Sequence, residues 1–160
     1  MRCLAKHSFL QGCKVEAMIE KIAAEECYAL RESILRPGQP KDNWTFDTDD
    51  DPRSIHLAFM QDQEVVAVVS LLPESLPGSE DHAWRLRGMA VREDLQGQGI
   101  GEQLLQVLQT CVAGKGIWCT ARCNVEVFYA NNGFVRVGDV FEMNNMPHVK
   151  MVTPLQNDAV

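Results

Sequence analysis

A glycine-rich turn between a predicted strand and a predicted helix is the part of this sequence with the clearest chemistry. The stretch from Leu86 to Gly101 reads LRGMAVREDLQGQGIG, with a β-rich segment before the turn and an amphipathic segment after it. Backbone N–H groups at such a turn, and the unsatisfied donors of the helix's first turn, point at one place. Glycine lets an anion approach this backbone without meeting a Cβ atom. The stretch therefore predicts a phosphate-binding site.

Two common phosphate motifs do not fit this turn. A P-loop needs a Lys-Ser or Lys-Thr pair after its glycines, but Gly101 is followed by Glu102 and Gln103. The dinucleotide fingerprint Gly-x-Gly-x-x-Gly, begun at Gly97, needs a glycine where Glu102 stands. The sequence thus indicates an anion site of another kind.

The turn resembles the Gln/Arg-x-x-Gly-x-Gly/Ala motif of the GNAT acetyltransferase superfamily, through Gln96, Gly99 and Gly101. A downstream segment is similar to the family's Phe-Tyr and Gly-Phe region, through Asn124, Phe128, Tyr129, Gly133 and Phe134. Residues 30–39 and 141–151 also resemble a bacterial branch whose acceptors are poorly defined. The resemblance implies an N-acetyltransferase that moves an acetyl group from acetyl-CoA to a primary amine, expected on a small molecule, by direct attack in a ternary complex.

The resemblance also implies which residues contact acetyl-CoA. The backbone of the turn would bind the pyrophosphate, and the amides of Met89 and Val91 would bind the pantetheine arm like a short extra strand. The amide of Met89 would also stabilise the oxyanion that forms during attack. The residues so implied are Met89, Ala90, Val91, Gln96, Gly97, Gln98, Gly99, Ile100, Gly101, Asn124 and Phe128. Asn124 has an alternative interpretation, as the cap of a helix that begins at Val125.

The catalytic groups follow from the same resemblance and from proton chemistry. Tyr129 is the predicted general acid, because a phenol near the departing CoA sulfur can donate a proton to it. Many relatives use a glutamate on the strand before the turn as general base, whereas residues 83–91 contain no carboxylate. His148 is the first candidate instead, since histidine changes charge near physiological pH. A water chain and three other side chains are the alternatives: His56, His82 and Glu142.

Two arginines are candidate anion-binding groups. A guanidinium offers a rigid fork of donors, so Arg36 and Arg87 can bind either a carboxylate on the acceptor or a CoA phosphate. Salt bridges with the protein's own acidic residues are the commoner use of such side chains. The sequence leaves these interpretations open.

Composition bounds the class of protein. The chain has 160 residues, 46% hydrophobic and 23% charged, which is typical of one globular domain, predicted here over residues 1–160. We find no apolar run of membrane-spanning length and no signal peptide, so we expect no membrane partner and a cytoplasmic location. The six cysteines are expected to be reduced, and their spacing does not match a zinc site, so no metal is expected.

The net charge of −7 argues against a nucleic-acid partner, because binding to phosphates requires clustered Lys and Arg. The same charge mildly favours a cationic acceptor.

Hydrophobic periodicity predicts the elements that position the site. A helix is predicted over residues 15–35, followed by a polar loop over 39–53 whose acidic run, Asp49 to Asp51, is expected to be solvated. The later predicted elements are strands at 55–60, 65–72 and 83–91, a helix at 99–113, a strand at 117–121, a short helix at 125–130, and strands at 134–140 and 148–153.

This order of elements predicts an α/β (α+β) fold, with a mixed, mostly antiparallel sheet and helices on both faces. The GNAT resemblance implies that the sheet is splayed at the acyl-CoA site, between residues 83–91 and 117–121. It also suggests a homodimer.

Two other functions stay open on the sequence. One is a non-catalytic acyl-CoA sensor, which the missing strand glutamate permits. The other is a protein lysine or N-terminal acetyltransferase, which an open groove would favour over a pocket closed by residues 39–53.

Overall fold

The computed structural model describes residues 18–112 and 114–155. Seven strands form one sheet in these residues: β1 Met18–Ile22, β2 Ile55–Gln61, β3 Glu64–Leu72, β4 Trp84–Val91, β5 Ile117–Arg122, β6 Val135–Met143 and β7 Met146–Val152. Three α-helices accompany the sheet: α1 Tyr28–Leu30, α2 Ile100–Thr110 and α3 Glu126–Asn131. Shorter 3₁₀ turns lie at Ala24–Cys27, Lys41–Asn43, Glu93–Leu95 and Cys123–Val125, and a π-helical turn, Arg31–Leu35, follows α1.

The strands are ordered β1-β2-β3-β4-β5-β7-β6 across the sheet. All neighbours are antiparallel except β4 and β5, which run parallel. Helices α2 and α3 pack on one face, whereas the turns around α1 pack on the other, against Ala58 and Val68. The mixed, mostly antiparallel sheet with helices on both faces is therefore confirmed.

The predicted helix over residues 15–35 is wrong in its first half. Residues 18–22 form β1, which pairs antiparallel with β2 from Met18↔Met60 to Ile22↔His56. Ile19 belongs to the core cluster on one face of the sheet and Ile22 to the cluster on the other. Apolar residues at 18, 19 and 22 fit the period of an amphipathic helix, and they also fit a strand that is buried on both faces. The pairing with β2 selects the strand. Residues 15–17 lie outside the described residues.

The predicted loop over residues 39–53 is confirmed apart from one 3₁₀ turn, but its acidic run is not fully solvated. Asp49 is only 5% exposed and lies in a buried network. Its carboxylate accepts two hydrogen bonds from Arg31, at 2.7 and 2.9 Å. Arg31 also donates to Ser70 on β3, whose hydroxyl contacts His56 on β2. The network therefore ties the loop to the middle of the sheet.

None of the helices in the described ranges is long and apolar enough to cross a membrane.

Replacing Asp49 with alanine should strongly destabilise the protein, because it leaves the fully buried Arg31 guanidinium without its counter-charge. Breaking a buried ion pair from one side typically costs about 3–5 kcal/mol in the free energy of unfolding. Urea unfolding followed by circular dichroism measures the change.

Asp50→Ala is the matched control, because the neighbouring Asp50 is exposed. It should change the free energy of unfolding by less than about 0.5 kcal/mol. Similar losses in both variants would contradict the role assigned to the buried network.

Candidate active site

A cleft opens where the parallel strands β4 and β5 move apart. The two strands pair only at Trp84↔Ile117 and Arg85↔Trp118. From Leu86 to Val91, β4 has no partner strand on that edge in the described chain, and the space beside it is a cleft of about 250 Å³. The cleft walls come from β4, β5, β7, α3, the turns around Arg31 and the loop after residue 39. The splayed sheet implied by the resemblance is thus present.

A bulge in β4 lies at the centre of this cleft. Ser70 pairs with Arg87 and Val68 with Ala90, so β4 carries one residue more than β3 between these pairs. Gly88 adopts a φ of +67° there, and a Cβ atom on it would lie 3.0 Å from Arg31 Nε. Glycine is therefore needed at this position both for the backbone conformation and for space.

The backbone beyond the bulge presents free donors to the cleft. The amide of Arg92 donates to Val66 on β3. Because successive strand amides point to opposite edges, the amides of Val91 and Met89 point away from β3. The side chain of Gln96 donates to the carbonyl of Val91 at 2.9 Å, which places that carbonyl at the same edge. The free edge of β4 thus resembles an unfilled position for another extended chain.

The glycine-rich turn follows the end of β4, as predicted. Gly97 and Gly99 have φ values of +78° and +83°, and nothing lies within 4 Å of where their Cβ atoms would be. Gly99 caps the N-terminus of α2. A Cβ atom on Gly101 would approach the Phe128 ring to 3.2 Å, so the turn packs directly against α3. The turn is exposed and its helix N-terminus can accept an anion.

Tyr129 reaches the cleft from α3. Its ring packs edge-to-face between Phe128, at 5.1 Å between centroids, and Phe134, at 5.5 Å. The described residues supply no hydrogen-bond partner for its hydroxyl. Burial, and to a lesser degree the neighbouring Cys119, raises the pKa of Tyr129 well above its ordinary value. The phenol is therefore a protonated donor at neutral pH.

The cysteine in the cleft is not a nucleophile. Burial raises the pKa of Cys119 to about 12, so the unreactive thiol dominates at neutral pH. The expectation of direct transfer, without a covalent enzyme intermediate, is consistent with this state.

His148 lies on β7 and also lines the cleft. Its Nδ1 donates to the carbonyl of Met146 at 2.8 Å, because a carbonyl can only accept. The other nitrogen, Nε2, is therefore the one that can take a proton in the neutral ring. In the sheet, His148 pairs with Arg122 on β5 and with Phe141 on β6.

The alternative bases lie elsewhere. Both ring nitrogens of His56 are hydrogen-bonded, to Ser70 Oγ and to the carbonyl of Asp49, and those of His82 are bonded to Ser79 Oγ and to the carbonyl of Thr153. Glu142 is exposed on β6. None of these three side chains lines the cleft.

Neither the side chain of Asn124 nor that of Ala90, two predicted cofactor residues, lines the cleft. Asn124 is exposed in the 3₁₀ turn before α3, and its side chain caps neither that turn nor α3, so the capping interpretation is wrong. The side chain of Ala90 is buried in the core, only 2% exposed, which leaves its backbone as the part available to a ligand.

Sequence reasoning missed several residues of the cleft. Trp44 and Phe46 from the loop, and Arg31, Arg85 and Arg122, line it together with the expected Arg36 and Arg87. They come from four segments that lie far apart in the sequence: the turn at Arg31, the loop after residue 39, β4 and β5. Arg122 was the easiest to find, since it ends the strand that faces β4 across the split.

Comparison with known proteins agrees with this geometry. The family model described as "Acetyltransferase (GNAT) domain" matches residues 18–155. The uncharacterized N-acetyltransferase YitI of Bacillus subtilis strain 168 is 32% identical over 143 residues, which cover 86% of this chain and 96% of YitI.

Solved structures share the fold. The crystal structure of Escherichia coli ElaA has a TM-score of 0.71 at 21% identity, covering 86% of this chain and 99% of that one. An aminoglycoside 6'-N-acetyltransferase complexed with coenzyme A has a TM-score of 0.64 at 15% identity, covering 84% of this chain and 95% of that one. Together with the family match, these findings show that the chain belongs to the GNAT acetyltransferase family and is an acyl-CoA-dependent acyltransferase.

Proposed function

We propose that this enzyme transfers an acetyl group from acetyl-CoA to a primary amine of a small molecule. The observation that carries the proposal is the cleft between β4 and β5, which is lined by the free edge of β4, Phe128 and Tyr129, with the glycine-rich turn leading to Gly101 beside the Phe128 ring. A related fold has been solved with coenzyme A, in the aminoglycoside acetyltransferase.

Acetyl-CoA would bind along the free edge of β4. The pyrophosphate would accept hydrogen bonds from the amides of residues 96–101, at the positive end of α2. The pantetheine amides would pair with Met89 and Val91, whose N–H groups point into the split. Phe128 would hold the pyrophosphate-binding turn in place by packing against Gly101.

Chemistry would take place beside the bulge. The amide of Met89 would donate to the thioester oxygen and stabilise the negative charge that develops there as the amine attacks. Tyr129, protonated because its pKa is raised, would donate to the sulfur as the carbon–sulfur bond breaks. Both donors are held by the fold before substrate arrives.

His148 would remove the proton from the attacking amine. Its Nε2 is available because Nδ1 already donates to Met146. The cleft contains no carboxylate that could do this work in the described residues. Its arginines would help, because nearby positive charge disfavours the ammonium form of a bound amine and so favours the nucleophilic form.

A small acceptor is favoured over a protein lysine or N-terminus by the loop after residue 39. Asn43, Trp44 and Phe46 from this loop form part of the cleft wall, so the loop would leave less room for a peptide than for a small amine. A single domain over residues 1–160, a cytoplasmic location and a homodimer stay predictions from the sequence.

Acetyl-CoA should raise the melting temperature of the wild-type protein. At a hundredfold excess over the dissociation constant, one-site binding adds about 2.7 kcal/mol to the free energy of unfolding. Gly99→Glu should abolish this shift, because it places a carboxylate at the proposed phosphate site. Thermal denaturation with and without acetyl-CoA measures both.

Gly78→Glu is the matched control for the glycine variant. Gly78 has a similar φ of +85° and equally open surroundings, but it lies in a turn outside the cleft. Its variant should bear the same backbone strain and still be stabilised by acetyl-CoA. Loss of the shift in both variants would contradict the proposed phosphate site.

Tyr129→Phe should lower kcat by about 10²-fold or more, the usual contribution of a positioned proton donor. The melting temperature should change little, because the hydroxyl has no hydrogen-bond partner in the described chain. The assay measures the rate at which free CoA thiol is released from acetyl-CoA in the presence of an amine acceptor. Tyr28→Phe, which removes a hydroxyl outside the cleft, is the control, and equal rates in wild type and Tyr129→Phe would remove the tyrosine from the mechanism.

His148→Asn should lower kcat/KM for the acceptor most strongly near neutral pH, where amines are still protonated and need a base. The rate should recover as pH rises and free amine accumulates. The kcat/KM profile between acidic and alkaline pH measures this dependence. A profile with the same shape as wild type would show that the amine enters already deprotonated.

A further inference from the structure

The cleft between β4 and β5 is cationic, although the protein as a whole carries a net charge of −7. Five arginines and His148 line it, and no Asp or Glu of the described residues does: the arginines are Arg31, Arg36, Arg85, Arg87 and Arg122. Charges of one sign inside a cleft focus the field on whatever enters it. This wall is suited to an anion, and not to the purely cationic acceptor that the net charge favours.

Arg36 and Arg122 converge on one point with no carboxylate between them. Arg36 Nη1 lies 3.0 Å, and Arg122 Nη2 3.2 Å, from the same carbonyl oxygen, that of Leu35. Neither guanidinium forms an ion pair with the described residues. Burial and repulsion from Arg122 lower the pKa of Arg36. Two forks of donors so close together suit a carboxylate or a phosphate.

Arg87 is a third cation of the cleft without an acidic partner in the described chain. Its guanidinium lies 3.9 Å from the centre of the Phe46 ring. Burial, and then the neighbouring Arg85, lowers the pKa of Arg87 to about 10, so it stays charged at neutral pH. The Phe46 ring also contacts the Arg31 guanidinium, at 4.2 Å. Ring stacking thus fixes Arg87 in the wall, and its N–H donors have no hydrogen-bond acceptor among the residues that the structure describes.

Arg85 differs from these three arginines, because an acidic side chain lies near it. It lies 3.4 Å from the Glu74 carboxylate and over the Trp118 ring. Likewise Arg31 is neutralised by Asp49. The unbalanced positive charge of the cleft therefore belongs to Arg36, Arg87 and Arg122.

The phosphates of CoA have another place in the proposed function. They bind at the turn after Val91, whereas Arg87 lies about 13 Å earlier on β4, given a rise of about 3.3 Å per residue. Counting from the pair Arg85↔Trp118, and allowing for the extra residue of the bulge, Arg122 is level with Met89 and Ala90 on the opposite side of the split. The free arginines thus flank the reacting carbonyl, where the acceptor must bind.

We propose that the acceptor is a primary amine that also carries a carboxylate or phosphate group, bound by Arg36 and Arg122 with Arg87 beside them. This inference rests on the proposed acyl transfer and adds the class of acceptor to it. The anionic group anchors the acceptor, and the amine is left to reach the thioester.

The test is calorimetric titration of the protein already saturated with CoA, so that the cofactor's phosphates fill their own site. The probes are inorganic phosphate and two matched pairs, O-phosphoethanolamine with ethanolamine and β-alanine with propylamine. We expect at least one amine with an anionic group to bind about tenfold or more tightly than its partner without that group, the range of a charge-assisted contact. The pair that shows the preference identifies the anionic group as phosphate or carboxylate. Absence of a preference in both pairs overturns the inference.

Variants assign the effect to the arginines. Arg36→Gln and Arg122→Gln should each weaken binding of the preferred anion about tenfold or more, and Arg36→Lys should retain part of it because the charge stays. Arg53→Gln removes an exposed arginine that pairs with Asp51 outside the cleft, and should change nothing. Melting temperatures establish that each variant is folded. Unchanged anion binding in both glutamine variants overturns the inference.

A titration with CoA alone separates this inference from the function on which it rests. If Arg36→Gln or Arg122→Gln weakens CoA in place of the anionic amine, the arginines serve the cofactor, and the inference fails while the proposed function stands. If the wild type does not bind CoA, the proposed function itself fails.

Discussion

The parallel pairing of β4 with β5 ends after two residue pairs, and the rest of the site depends on that early end. If the pairing continued, the amides of Met89 and Val91 would donate hydrogen bonds to β5 and no cleft would exist. Beyond these pairs each strand keeps the neighbour on its other side: β4 pairs with β3, and β5 pairs with β7 along its length. The sheet therefore opens without losing its order.

The buried Arg31–Asp49 pair connects this opening to the loop after residue 39. The ion pair with Arg31 fixes Asp49 and thereby the loop after residue 39. Arg31 also packs against the Phe46 ring, and Arg87 stacks on the same ring. A charge pair inside the protein is a weak source of net stability, since desolvation offsets most of the attraction. Its effect here is positional, because it holds a loop with little regular structure against the cleft.

Local patterns explain which parts of this fold were predictable. The turn and α2 were foreseen because glycines with positive φ and an amphipathic helix leave strong marks on neighbouring residues. Tyr129 and His148, the two catalytic candidates from the sequence, both line the cleft, and their catalytic roles stay predictions. By contrast, β1 was mistaken for helix because its apolar residues fit both periods, and only pairing with β2 distinguishes them.

Long-range contacts were out of reach of the sequence. Nothing near Asp49 indicates that its partner is Arg31, and its neighbours Asp50 and Asp51 made the run look solvated. The cationic cleft was missed for the same reason, because its arginines come from separate segments and the overall charge is negative. Net charge describes the surface as a whole, whereas recognition depends on the few charges that line the site.

A crystal structure of the protein with acetyl-CoA tests the central claim most directly. The account predicts the pantetheine arm in the split along β4, the pyrophosphate at residues 96–101, and the thioester oxygen about 3 Å from the amide of Met89, with the sulfur beside the Tyr129 hydroxyl. Acetyl-CoA bound away from this split, or a sheet in which β5 closes along Leu86 to Val91, would contradict it.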